Sequence, residues 1–273
     1  MDAKPTYQGI DLDAETALAL LAWQAELGVD EPMLDSPLDR FELAPRARAL
    51  TPPPSPAAPP PRRPAPQDDL AARVAEAEAL AAAADTLEAL ATAQQGFDGI
   101  ELKKGARNFC FSDGNPKARV MILGEAPGDE EDRQGRPFVG RAGQFLDRMF
   151  AAIGLARDAV DAEKALYITN VLTWRPPGNR DPEQAEIAMA LPFVRRHVEL
   201  AAPDLIVLMG NISCQAALGR RGILRLRGTW VQAFDRPALP MTHPAYLLRT
   251  PAAKREAWAD LLSIAARLEG DTT

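Results

Sequence analysis

The chain has 273 residues, of which 47% are apolar and 25% charged, and its formal net charge is −7. This composition excludes wholesale disorder and predicts a soluble, globular protein of one large domain with appendages. No apolar run reaches the roughly 18–20 residues that a membrane-spanning helix needs, and the first residues do not resemble a secretory signal. Two cysteines exclude a disulfide framework, so we expect a reducing, cytoplasmic location.

Charge is distributed unevenly along the sequence. Residues 1–100 carry 7 Lys and Arg against 17 Asp and Glu, whereas residues 101–273 carry 24 against 21. Four arginines of the second part fall close together: Arg220, Arg221, Arg225 and Arg227. The acidic total therefore does not exclude a nucleic-acid partner, and we expect this arginine cluster to contact phosphates.

Proline marks the organisation of the N-terminal part. Nine of the fifteen residues at 52–66 are proline, which is typical of an extended polyproline II linker. We predict a flexible N-terminal extension in which a short amphipathic helix, at residues 13–27, is a candidate for binding a protein partner. The predicted segments are a helical region at 1–40, a linker at 41–68, an alanine-rich helix at 69–96, a domain at 97–268 and a tail at 269–273.

From residue 97 onward, strand and helix signals alternate. Short apolar runs predict buried strands at 118–123, 165–172, 205–209 and 238–241, with helical patterns between and after them. Strands without polar alternation are typical of a parallel sheet that is covered on both faces. We therefore predict a three-layer α/β/α fold around a mostly parallel four-stranded sheet, with ligands bound at the carboxyl ends of the strands.

Three segments that follow predicted strands carry most of the polar chemistry. GEAPGDEEDRQGRPFVGRAG begins at Gly124 and contains Phe138, TNVLTWRPPGNRDP contains Asn170, and THPAYLLR contains His243. The first segment matches neither a dinucleotide fingerprint nor a phosphate-binding loop. An aromatic ring, an amide and an imidazole can stack on a planar base and hydrogen-bond its edge. We expect these three side chains to converge on one cavity.

Together, in this order and spacing, the three motifs resemble those of the uracil-DNA glycosylase superfamily, closest to its family 4 enzymes, over about residues 97–268. The resemblance implies a catalytic domain for base excision repair that flips uracil out of DNA and hydrolyses its N-glycosidic bond, leaving an abasic site. It implies that Phe138 stacks on uracil, that Asn170 and the backbone from Gly124 contact the base, and that His243 donates a hydrogen bond to O2.

Further residues match positions of the same family. Glu125 and Glu131 match acidic positions that hold or activate the attacking water, and the resemblance does not choose between them. Leu247, Leu248 and Arg249 match a loop that enters the duplex and grips its backbone. Arg175 and Arg180, which flank the PPGN turn, are also predicted to bind DNA. Since the motifs contain no lysine for a Schiff base, we expect a monofunctional enzyme, and we expect a monomer.

One departure from the family concerns a cofactor. Family 4 enzymes usually carry a four-iron cluster on four cysteines, and such clusters need thiolates. The corresponding positions here are Phe97, Ile100, Trp174 and Ala190. We therefore predict no iron–sulfur cluster and no metal, with packed apolar side chains in its place. Cys110 and Cys214 are interpreted as structural thiols, and His197 as a solvent-exposed helix residue.

Three alternative functions stay open at this point. The first is a glycosylase with another base preference, such as hypoxanthine or a mismatched base. The second is a non-catalytic DNA-binding or polymerase-accessory module. The third, a nucleotide-binding hydrolase of generic α/β type, is disfavoured because no phosphate-loop signature is present.

Overall fold

The computed structural model describes residues 6, 7, 10, 11, 13, 18 and 67–270. The chain divides into two compact units, Met1–Arg63 and Pro64–Thr273. In the first unit, strands β1 (Thr6–Tyr7) and β2 (Ile10–Asp11) form an antiparallel pair. The helix predicted at 13–27 and the linker predicted at 41–68 lie almost entirely outside the described residues, so those assignments stay predictions.

The second unit is built around one six-stranded sheet. Its strands are β3 (Ser112–Gly114), β4 (Val120–Gly124), β5 (Leu166–Asn170), β6 (Leu205–Met209), β7 (Val231–Ala233) and β8 (Arg236–Met241). Their order across the sheet is β3-β5-β4-β6-β8-β7. The four inner strands run parallel to one another, and each edge strand pairs antiparallel with its neighbour.

The four inner strands are the ones that the apolar runs predict, which confirms the mostly parallel α/β sheet. The predicted number of four strands was too low, because the two edge strands were missed. Each edge strand has only three residues, and β3 has the sequence SDG, in which every residue is half-buried. Such segments carry no apolar run or alternation, and their pairing with a neighbouring strand defines them.

Helices cover both faces of the sheet. They are α1 (Gln67–Ala82), α2 (Leu87–Gly96), α3 (Asp129–Gln134), α4 (Arg141–Ala151), α5 (Gln184–Ala201), α6 (Asn211–Leu218), α7 (Ile223–Leu226), α8 (Pro244–Arg249) and α9 (Lys254–Gly270). One apolar core joins the sheet to α1, α2, α5 and α6, and a second joins the opposite face to α4, α8 and α9. Within the described part of the chain, no helix has the length and apolar character that crossing a bilayer requires.

Successive residues of each inner strand face opposite cores, which produces the three layers. Met121 and Leu123 belong to the first core, whereas Val120 and Ile122 belong to the second. Because both faces are covered, β4, β5 and β6 are buried at every position, as the unbroken apolar runs indicate.

The alanine-rich segment forms two helices where the sequence predicts one at 69–96. The chain leaves α1 after Ala82, and Thr86 starts α2 by accepting a hydrogen bond from the Ala89 N–H at 3.1 Å. Threonine at such a position caps an exposed helix N-terminus. Arg196 of α5 donates two hydrogen bonds of 2.9 Å to the Ala84 carbonyl, so the break itself is anchored to the core.

The interpretation of His197 as solvent-exposed was wrong. His197 is only 3% exposed; its Nε2 lies 2.8 Å from the Tyr167 hydroxyl, and its ring stacks on Phe111. Burial lowers the pKa of His197 to about 3. Burial therefore keeps this imidazole neutral, and the Tyr167 hydroxyl of β5 is its hydrogen-bond partner in the core.

Candidate functional site

The parallel register brings the predicted motifs to one edge of the sheet. Gly124 at the end of β4 pairs with Asn170 at the end of β5, and Met209 of β6 pairs with Met241 of β8. The segments that follow these residues therefore begin side by side. His243 stands two residues beyond the end of β8, at the same edge.

A cavity of about 600 Å³ opens at this edge. Its lining includes residues from all three motifs: Glu125, Glu131, Phe138, Asn170, Arg180, His243 and Arg249. The expectation that the aromatic ring, the amide and the imidazole converge on one cavity is thus confirmed. Their individual roles in binding or catalysis stay predictions.

The Asn170 amide and the Phe138 ring both pack against Gly124. A Cβ atom on Gly124 would overlap the Asn170 Oδ1 atom and the edge of the Phe138 ring. Only glycine lets the amide and the ring approach the strand end so closely. Phe138 itself is buried, and its ring centroid lies 5.5 Å from that of His243.

The Asn170 amide is buried with an unused acceptor. The residue is 3% exposed, and its Oδ1 is one of two buried side-chain atoms without a hydrogen-bond partner among the described residues. A buried acceptor without a partner costs free energy, and such a cost is typical of a site that a ligand completes. An N–H donor on a bound base would satisfy this oxygen.

The protonation of His243 follows from its place in the backbone. Its Nδ1 accepts a hydrogen bond from the Ala245 N–H at 3.2 Å and thereby caps α8. Burial, assisted by the nearby Arg249, lowers the pKa of His243 to about 4. The imidazole is therefore neutral at physiological pH, and its proton is on Nε2, the nitrogen that can donate to a ligand.

The two candidate acids have different environments. Burial first, and repulsion from Asp181 second, raise the pKa of Glu125 to about 7, and Arg221 opposes this shift. A carboxyl group with such a pKa can exchange a proton near neutral pH. Glu125 lines the cavity, so its carboxylate has access to a ligand or to water there.

Glu131, in contrast, is engaged by the backbone. Its Oε1 accepts from the N–H groups of Val139 and Gly140 at 2.9 and 2.8 Å, and its Oε2 accepts from Gly128 at 3.1 Å. Through these three hydrogen bonds, the Glu131 carboxylate connects the start of α3 to the loop that carries Phe138. The two acids thus differ in environment, and a catalytic role of either Glu125 or Glu131 stays a prediction.

The two arginines predicted to bind DNA hold the loops of the site. Arg175 donates to Asp129 Oδ1 at 2.6 Å and to Asn179 Oδ1 at 2.8 Å. Arg180 donates to both carboxylate oxygens of Glu186, at 2.6 and 2.9 Å. These ion pairs already fix both guanidinium groups, so contacts of Arg175 and Arg180 with DNA stay predictions.

Leu247 is buried in the second core, so the structure does not support its predicted entry into the duplex, which stays a prediction. The THPAYLLR segment is not an open loop, because its last six residues form α8. Leu247 lies on the inner side of this helix, is 0% exposed and packs in the second core. Leu248 is half-buried and Arg249 is exposed at the cavity, so both keep the accessibility that DNA binding requires.

The arginine cluster is also only partly available for phosphates. Arg227 forms an ion pair with the buried Asp260 and donates to the Glu256 carbonyl at 2.6 Å. Arg221 donates to the Gln215 side chain at 2.5 Å. Arg227 is therefore a structural residue that joins α7 to α9.

The positions that correspond to cluster ligands do not fit an iron–sulfur group. Phe97, Ile100 and Ala190 are buried in the first core, and Trp174 packs against it. The Phe97 ring lies 5.5 Å from the Phe193 ring, centroid to centroid. None of the four side chains supplies a thiolate. Among residues 67–270 and the few described before them, no three His, Cys, Asp or Glu residues group as metal ligands do.

Both cysteines are buried in their reduced form. Burial raises the pKa of Cys110 and of Cys214 to about 12, so each is a neutral thiol. Cys110 donates from Sγ to the Glu131 carbonyl at 3.1 Å. Such thiols have the character of structural residues, as the sequence predicts.

The cavity also contains polar residues that the sequence did not single out, among them Asp181 and Asn211. Asp181 lies within the RPPGNRDP motif, so a signal for it was present. Asn211 follows Gly210 at the end of β6, and its Oδ1 accepts hydrogen bonds from the N–H groups of Gly222 and Ile223. The rule that ligands bind beyond the strand ends points to this segment as well.

Comparison with known proteins agrees with this site. The sequence profile described as the uracil DNA glycosylase superfamily matches residues 111–262. A Type-4 uracil-DNA glycosylase of Sulfurisphaera tokodaii is 39% identical over 153 residues, which cover 52% of this chain and 67% of that protein. Proteins of the same name from Archaeoglobus fulgidus and Thermotoga maritima are each 37% identical, over 60% and 52% of this chain and 84% and 72% of their own lengths. The matched segment spans all three motifs, and the chain belongs to the uracil-DNA glycosylase superfamily.

Proposed function

We propose that this protein removes uracil from DNA by hydrolysing the N-glycosidic bond between the base and deoxyribose, as a repair glycosylase. The observation that carries the proposal is the convergence of the Phe138 ring, the unpartnered Asn170 Oδ1 and the neutral His243 in one cavity. A base inside a duplex cannot reach such a cavity, so it must be extruded first.

Asn170 would recognise the edge of the extruded base. Uracil presents N3–H as a donor and O4 as an acceptor, which match the oxygen and the NH₂ group of one fixed amide. Cytosine presents the reverse pattern at these two atoms. A buried amide that is left with mismatched partners loses much of the binding free energy, so uracil is selected over cytosine.

His243 would stabilise the leaving group. As the glycosidic bond breaks, its electron pair stays on uracil, and negative charge develops on O2. A neutral imidazole with its proton on Nε2 offers a fixed hydrogen bond to that oxygen. The cap on α8 holds the ring in this tautomer before substrate arrives, so no reorganisation is needed during the reaction.

Glu125 would orient and deprotonate the water molecule that acts as the nucleophile. In the deprotonated state its carboxylate orients a water molecule and accepts a proton as the water oxygen bonds to C1′ of the sugar. Its negative charge also favours the cationic character that the sugar acquires as uracil departs. No step needs a metal ligand or a lysine nucleophile.

This role predicts a pH dependence. Because the pKa of Glu125 is raised to about 7, the active carboxylate is lost as pH falls below that value. We expect kcat/KM to decline below pH 7, while His243, with a pKa near 4, stays neutral through this range. Measured pH–rate profiles check this. Glu125→Gln should be slow and lack the acidic limb, and a limb that persists in this variant contradicts the assignment.

The absence of an iron–sulfur cluster is also a proposal. Its support is that buried apolar side chains occupy the ligand positions. We expect purified protein to contain no stoichiometric iron by metal analysis and no visible absorption band. Iron at about four atoms per chain would overturn this expectation.

The function is tested with a single-lesion oligonucleotide. Purified protein is incubated with DNA containing one uracil, as single strand and as duplex, and abasic sites are revealed by alkaline cleavage. Parallel duplexes carry hypoxanthine, a mismatched thymine or no lesion. Cleavage at uracil supports the proposal; cleavage confined to another base establishes the alternative specificity, and binding without cleavage establishes the non-catalytic alternative.

A further inference from the structure

Phe138 presents its ring from an unusual backbone conformation. Its φ is +53°, in the left-handed region that bulky residues rarely adopt. A Cβ atom on Gly143 would overlap the Phe138 carbonyl, so the first turn of α4 packs directly against this loop. Such a conformation persists only where surrounding contacts over-determine it.

Arg157 supplies contacts of this kind from a distant segment. It lies between α4 and β5, outside every motif of the cavity. Its Nη2 donates to the Phe138 carbonyl at 2.7 Å, and its Nη1 donates to the Pro137 carbonyl at 3.1 Å. Two hydrogen bonds from a charged donor thus hold the backbone that carries the ring.

The guanidinium group is itself fixed from two sides. Arg157 Nη1 donates to Asp113 Oδ2 at 2.9 Å, and Nε donates to Asp147 Oδ1 at 2.8 Å. The arginine side chain is only 14% exposed, so water competes weakly for these partners. Asp113 belongs to edge strand β3 and Asp147 to α4. The planar guanidinium group of Arg157 can bond both carboxylates and the two loop carbonyls at the same time.

We propose that Arg157 is a positioning residue for base recognition, because it fixes the backbone beneath Phe138 and so holds the ring at its place in the cavity. The proposal rests on the proposed function, in which this ring stacks on uracil. The ring lies beside the Asn170 amide and 5.5 Å from the His243 ring. Movement of the loop would therefore misalign the stacking face with the groups that hold the base edge.

The test compares Arg157→Met with a matched control, Arg119→Met. Arg119 is also largely buried and pairs with two carboxylates, Asp204 and Glu163, but it does not line the cavity. Steady-state kinetics on uracil-containing duplex and inhibition by free uracil are measured at a temperature where circular dichroism shows each variant folded. We expect Arg157→Met to lower kcat/KM and to weaken inhibition by uracil, each about 10- to 100-fold, and the control to change neither.

A double-mutant cycle separates positioning from general support of the fold. In a Phe138→Ala background, Arg157→Met should cost little further activity, because the ring that Arg157 positions is gone. Full additivity of the two losses would overturn the proposal, as would an equal loss in Arg119→Met. If Arg157→Met does not fold, the same cycle is measured with Arg157→Lys, because lysine keeps the positive charge but lacks the planar guanidinium group. A wild-type protein that releases no uracil refutes the proposed function, whereas an active wild type with additive losses refutes only the role of Arg157.

Discussion

Replacement of His243 by alanine is expected to lower kcat for uracil excision by about 10²–10³-fold, the usual cost of removing one donor to a developing anion. The variant loses the Nε2–H donor to O2, but it keeps the stacking ring and the amide that bind the base. KM should therefore change much less than kcat. Single-turnover measurements of abasic-site formation separate the chemical step from binding and product release.

The second histidine provides the control for this experiment. His197→Ala removes the second imidazole, which is buried and does not line the cavity, and leaves Tyr167 without its 2.8 Å partner. We expect a lower melting temperature and an unchanged excision rate well below it, which is the opposite of the His243→Ala result. Equal rate losses in both variants would show that His243 acts through stability and not through the leaving group.

Asn170→Asp is expected to lower uracil excision by about 10²–10³-fold, because a site built to hydrogen-bond a base edge rejects mismatched partners strongly. An ionised carboxylate has only acceptors, so it repels O4 of uracil while it still accepts from N3–H. The loss should appear in kcat/KM and in the affinity for free uracil, which calorimetry or inhibition kinetics measure.

Asn115→Asp is the matched substitution away from the cavity. Asn115 lies in the turn between β3 and β4, where its side chain bonds the backbone of Val160 and Lys117. The same change of amide to carboxylate there should leave excision at the wild-type rate. A near-wild-type rate in Asn170→Asp would remove Asn170 from base recognition, whatever the control shows.

The sheet and the convergence of the motifs were predictable because both follow from local sequence. Unbroken apolar runs define the inner strands, and parallel strands end at the same edge, so the segments that carry Asn170 and His243 were expected at one edge of the sheet. The partners of individual side chains were not predictable in this way. The hydroxyl of Tyr167, which lies 30 residues before His197, has no signal in the sequence near that histidine.

Leu247 and Arg157 are two further residues whose environment local sequence patterns do not predict. Leu247 lies in a motif that suggests exposure, yet its side chain packs in the second core. Helical periodicity places it on the inward side of α8. Arg157 lies in an unremarkable turn, and its importance arises from four partners that are close only in space. Contacts of long sequence separation of this kind require the folded chain.

Under the proposed function, the hydrogen bond from the Ala245 N–H to His243 Nδ1 would link the cap of α8 to the choice of substrate. The imidazole cannot move its proton to Nδ1 without uncapping α8, so the cavity always presents a donor at this point. A base with an exocyclic amine there, such as guanine, would set donor against donor. Discrimination against such bases would thus depend on the first turn of α8, and a change of tautomer would cost that turn its cap.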